Sequence, residues 1–179
     1  MKNESLHDQI LQIVRPLVHE AAIVPTAKLR FSEEVVSACK ANFCGRYNTT
    51  WTCPPGVGTL EELKARILAY AQVLVFTTCH EIEDSFDIEG MGRGREEHGR
   101  IADQVIAALP LERYQALGAE GCGLCTKCTY PDAPCRFPER AKPSIEACGI
   151  DVVHLARTCG IHYKNGINTV TYFTAVLFG

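Results

Sequence analysis

The sequence predicts an α/β fold, a small sheet sandwiched with helices, with cysteine-bearing loops at its edge. Three observations carry this. Val73-Leu74-Val75-Phe76-Thr77 is a continuous apolar, β-branched run, the mark of a buried strand. Residues 168–178, Asn-Thr-Val-Thr-Tyr-Phe-Thr-Ala-Val-Leu-Phe, form another strand, apolar on both faces towards its end and therefore central in the sheet. Between the two, residues 96–109 place His98, Ile101, Ala102, Val105, Ile106 and Leu109 on one side of a helix. Helices alternating with apolar strands pack in layers.

Taken in order, residues 5–18 read as an amphipathic helix with Leu6, Ile10, Ile13, Val14, Leu17 and Val18 on one face. Pro16 inside the run predicts a kink or an early end, and Pro25 closes the segment. Leu29-Arg30-Phe31 reads as a short strand or extended connector, and Ser32 as the cap of a helical turn with Glu33 and Glu34 at its positive end. Thr59-Leu60-Glu61-Glu62 is a capping box. It opens a helix to about Tyr70 with Leu60, Leu63, Ile67 and Leu68 inward.

Residues 81–94, acidic and then glycine-rich, show no periodicity and read as a mobile loop. Arg93, Arg95, His98 and Arg100 follow, either a solvated basic face or an anion site at a helix start. A short strand is expected near 115–120. Pro143 and Ser144 open a short helix ending at Gly149. Asp151 caps another, with Val152, Leu155, Ala156 and Cys159 inward and Gly160 at its end.

Gly121 to Pro138 carries the chemistry. Cys122, Cys125 and Cys128 follow one another with two-residue gaps, and Cys135 comes six residues further on. A tight loop of this kind can wrap three thiolates around three corners of an iron–sulfur cubane. The spacing resembles the bacterial ferredoxin run, with a later fourth cysteine. Gly121 and Gly123 are expected to let the backbone curl through positive φ. Pro131, Pro134 and Pro138 stiffen the return. Zinc, the alternative, more often takes two separated cysteine pairs. A thioredoxin-like pair would leave the other cysteines unexplained.

A second group comprises Cys39, Cys44 and Cys53, the last on the rigid Cys53-Pro54-Pro55-Gly56 turn. Tyr47 and Trp51 lie between its members and either cover the core edge or shield a cluster from water. Both groups are expected in loops, held by a rigid scaffold. Cys148 and Cys159 fall on apolar helical faces and read as packing residues.

Composition narrows the function. At 179 residues the chain is most simply one domain. A net charge of −3 argues against nucleic-acid binding. No apolar run approaches the roughly 18 residues of a membrane helix. Asp8, Arg15 and Glu20 interrupt any signal-peptide core, so the cytoplasm is the expected compartment. Thiols stay reduced there, and ten cysteines then point to metal rather than disulfides.

The ordered set Cys39, Cys44, Trp51-Thr52-Cys53-Pro54-Pro55, Cys122, Cys125, Cys128, Pro134-Cys135-Arg136-Phe137-Pro138 and Pro143 to Val152 resembles a family of small bacterial and archaeal predicted metal-binding proteins. The resemblance spans nearly the whole chain. It implies that trio and quartet belong to a single metal-binding domain over residues 1–179.

Two cubanes with four thiolates each would need one more cysteine than the motifs supply. The quartet can hold one [4Fe–4S] cluster while the trio forms a second site, borrowing Cys79, His80 or an exogenous ligand. Alternatively, Cys53 completes the Cys122–Cys128 cluster, or the trio is structural. Two functions follow. One is a ferredoxin-like electron carrier serving a redox partner protein. The other is an enzyme, or an accessory factor for one, using an iron with an open position. A zinc-stabilised structural protein is the third reading.

Overall fold

The computed structural model describes residues 5–179. Ser5 caps α1 (Leu6–Val14) by accepting the Asp8 N–H. The helix ends ahead of Pro16, short of the span to residue 18 that the apolar pattern suggests, because proline breaks a helix it sits inside. Ile10 and Val14 are buried, whereas Leu6 is 44% exposed.

The chain then forms β1 (Glu20–Pro25), which is not among the expected strands. It lies at the sheet edge, pairing antiparallel with β2 (Gln72–Glu81) in a register that sets Ala22 against Val75. Pro25 sits at the strand's end, a place where the missing N–H is tolerated. Ser32 caps α2 (Glu33–Lys40), and Phe31 makes an isolated bridge to Ile150, as an extended connector would. The capping box forms as expected and opens α3 (Leu60–Leu68), where Leu63 and Ile67 point inward but Leu68 is exposed.

β3 (Tyr114–Leu117) and β4 (Thr169–Phe178) complete an antiparallel sheet in the order β1-β2-β4-β3. β2 and β4, the two runs apolar on both faces, are the central pair. Side-chain alternation divides them between two cores. Leu74, Phe76, Val176 and Phe178 meet α1 and α4 (Ile88–Ala108). Val73, Val75, Ala175 and Leu177 meet α3 and α5 (Val152–Cys159). Asp151 caps α5, and Gly160 ends it in the left-handed conformation. Cys148 lies within the second core, and Cys159 packs against it. Burial pushes their thiols up to about 12 and about 11, as befits packing residues. Among the described residues no helix is long and apolar enough to cross a membrane.

The segment read as a mobile loop is largely helix. Asp87 accepts the N–H groups of Gly90 and Glu83, and α4 starts at Ile88 in spite of its glycines. Gly94 is there for close packing, since a Cβ would stand 2.9 Å from the His80 ring.

His98, read both on the apolar side of this helix and in a basic set with Arg93, Arg95 and Arg100, takes the first place and is 2% exposed. Its Nδ1 is 2.8 Å from Thr78 Oγ1 and its Nε2 2.8 Å from Thr174 Oγ1. Thr78 Oγ1 is also 2.8 Å from His80 Nε2. Burial first, then the neighbouring His80, lowers the His98 pKa to about 4.

The depressed value has a definite sign. The unfolded chain takes up a proton near pH 6.5 that the folded chain refuses until about pH 4, so this contribution is full above 6.5 and is lost as pH falls through that window. Its limit is roughly 3 kcal/mol. Urea unfolding at a series of pH values should show the loss in wild type and a flatter dependence in His98→Gln. Equal slopes would assign the acid sensitivity to another group.

Candidate metal centre

The cysteine loop starts where β3 stops. Gly118 donates to the Pro143 carbonyl at 2.8 Å, and Ile145 donates to the Gly118 carbonyl at 3.1 Å. These bonds pinch the two ends of the loop together at the sheet edge. Inside it, Thr129 Oγ1 donates to the Pro134 carbonyl at 2.8 Å, Ala133 N–H to Thr129, and the Arg136 guanidinium to the Lys127 carbonyl at 3.0 Å. The result draws all four predicted ligands together. Cys122, Cys125, Cys128 and Cys135 line one cavity of about 320 Å³, walled by Trp51 and Arg136.

The sulfurs receive peptide N–H groups. Leu124 N–H approaches Cys122 Sγ, at 3.5 Å between the heavy atoms. Cys128 Sγ is within reach of the N–H groups of Tyr130, Trp51 and Thr129. Burial opposes ionisation of this thiol. The three N–H groups and Arg136 together outweigh it and hold the pKa below the ordinary cysteine value.

The trio is built differently. Cys39 occupies the last turn of α2, a helix and not the loop expected for it. Asn42, Gly45 and Asn48, all at positive φ, turn the chain beyond it, and Cys53 follows on the diproline turn. Cys39, Cys44 and Cys53 line a second cavity of about 600 Å³. Cys44 is exposed and Cys53 buried. Burial pushes the Cys39 thiol up, and Glu146, Cys44 and Cys53 add to the effect. Glu146 lines the same cavity, its own pKa raised by burial against the pull of its backbone N–H and Ser144. Sequence reasoning passed over Glu146, whose only signal was its place in the Pro143-to-Val152 motif. Cys79 and His80 line neither cavity.

The two loops are laced together. Cys122 N–H donates to Thr52 Oγ1 at 3.0 Å, and Arg46 donates to the Cys122 carbonyl at 3.1 Å. Trp51 Nε1 donates to the Ala133 carbonyl at 3.0 Å, and its ring meets Tyr130 edge-on. Trp51 therefore walls the quartet, while Tyr47 lines the trio's cavity. Gly121 has a different reason from the one its sequence context suggests. Neither it nor Gly123 is among the positive-φ residues. A Cβ on Gly121 would stand 2.7 Å from Cys53 Sγ, so the residue is glycine to let the two loops touch.

Among the described residues no three Cys, His, Asp or Glu side chains converge closely enough to hold a single metal ion as they stand. The loops provide two thiol-lined cavities side by side, with Arg46 in the wall of both. The basic residues near α4 do not form an open anion site. Arg95 pairs with Glu120 at 3.1 Å, and Arg100 pairs with Glu97.

No curated protein and no solved structure matches the chain. Residues 22–178 match the model of a family described as predicted metal-binding protein (DUF2284). That span takes in every cysteine of both groups and all four strands but the first two residues of β1. The chain belongs to this family of predicted metal-binding proteins.

Proposed function

We propose that the protein is an iron–sulfur protein of the cytoplasm, holding a [4Fe–4S] cluster on Cys122, Cys125, Cys128 and Cys135 and passing electrons to a redox partner protein. The supporting observation is one cavity lined by four thiols, with peptide N–H groups and Arg136 directed at sulfur. When bound, such a cluster supplies one-electron redox chemistry. The chain's part is to hold the thiolates and stabilise their negative charge. N–H groups and a nearby cation do this in advance of any metal. The run of two-residue gaps favours a cluster over zinc, which more often takes two separated cysteine pairs.

The surface at the site suits a protein partner. Leu124 and Phe137, 38% and 39% exposed, stand at the cavity rim near Lys127 and Arg136. Apolar groups ringed by cations form a small docking patch for an acidic protein surface. The same acidic balance, −3 overall, speaks against nucleic acid. Both cores share one sheet, which favours a single domain.

Protein purified without oxygen should be brown, with iron and acid-labile sulfide in a chemical assay, and Cys125→Ser should remove the quartet's share. Colourless protein with stoichiometric zinc would establish the structural reading. Arg136→Glu should make the midpoint potential more negative by on the order of 20–60 mV, since a charge reversal worth about 1 kcal/mol changes a one-electron couple by about that much. An unchanged potential in a voltammetric titration would mean that Arg136 does not act on the cluster. Gly121→Ala should push Cys53 away and cost roughly 1–3 kcal/mol in denaturant unfolding. Full stability would show that the loops do not touch.

A further inference from the structure

We propose that Glu146 is the fourth ligand of a second metal site whose other ligands are Cys39, Cys44 and Cys53. The proposal rests on the reading of the trio as metal ligands but not on the identity of the metal.

Position is the first argument. Cys39 ends α2, and α2 packs against the 3-10 turn Glu146–Cys148. Glu146 thus faces the three thiols across the cavity that all four line. The residues expected from the sequence to complete the set are held elsewhere. His80 is bonded to Thr78 and packed on Gly94, and Cys79 lies on β2 outside this cavity.

Charge is the second argument. A half-buried carboxylate beside three thiols, held in the protein by its own backbone N–H and Ser144, is stabilised by a cation. The two arginines in this wall are engaged, Arg95 with Glu120 and Arg46 with the Cys122 carbonyl. No lysine, arginine or histidine pairs with Glu146 among the described residues. A metal or a cluster corner supplies the missing positive charge, and the thiol protons leave to solvent as it binds.

Donor set and space are the third. Three sulfurs and one carboxylate oxygen make an ordinary tetrahedral set for zinc, and a carboxylate can equally close a cluster's fourth corner. The exposed Cys44 sits on the turn beyond Cys39, so that turn has room to draw inward. The cavity, about 600 Å³, is larger than a metal with four ligands fills.

Co²⁺ titration of the anaerobic, metal-stripped full chain tests this, because thiolate-to-cobalt absorption rises with the number of thiolates bound. Wild type should take two equivalents, the second with a band about three-quarters as strong as the first. Glu146→Gln should bind the second equivalent at least ~10-fold more weakly and leave the first unchanged. Glu146→Cys should restore tight binding and raise the second band by about a third. An unchanged second equivalent in Glu146→Gln, an unchanged band in Glu146→Cys, or a single equivalent in wild type overturns the proposal. Should Glu146→Gln not fold, Glu146→Cys decides alone. An iron and sulfide assay of wild type as purified reports separately on the iron–sulfur reading, so the two can fail independently.

Discussion

The site depends on Cys122 and Cys128 being bound by the neighbouring loop. The chain between Gly118 and Pro143 contains no helix or strand, and an irregular segment of that length does not hold a shape unaided. The pinch at Gly118 fixes its ends. Its middle is fixed from outside, by Thr52 and Arg46 on the backbone of Cys122 and by the Trp51 N–H on the sulfur of Cys128. Two loops far apart in sequence thereby become one rigid wall. The diproline turn after Cys53 then has a purpose beyond stiffness, since Asn48 N–H donates to the Pro54 carbonyl and closes the loop that carries Trp51.

Cys128 and Cys39 sit in environments of opposite sign. Cys128 is tuned towards thiolate by N–H groups and Arg136, in spite of burial. Cys39 is tuned towards thiol by burial, a carboxylate and two other sulfurs. Thiolate is the form that binds metal.

What could be read from the sequence follows from where the signal is strong. Runs apolar on both faces gave away β2 and β4, and side-chain caps gave away α3 and α5. The cysteine spacing gave away both groupings, each of which lines its own cavity. β1 escaped because an edge strand that is mostly half-buried has no reason to alternate strongly. The start of α4 escaped because its glycines lower helix propensity, and only the tertiary contact shows that one of them, Gly94, serves packing on His80. His98 was legible as a residue of the apolar helix side but not as a hydrogen-bonded one, because its partners, Thr78 and Thr174, lie on strands distant in sequence. Glu146 escaped for the same reason, since its neighbours Cys39, Cys44 and Cys53 come about a hundred residues earlier.

The contact at Gly121 ties these parts into one device. Cys53 Sγ lies against the backbone one residue before Cys122, so a ligand proposed for one site touches the chain that carries a ligand for the other. Cys53 is buried there, and Arg46 lies in the wall of both cavities. A short, water-poor path through packed atoms is what electron passage between two centres requires. The larger cavity is lined by the trio and Glu146, and the smaller by the quartet, with Leu124 and Phe137 at its rim. Cys53 and Gly121 mark the point where the walls of the two cavities meet.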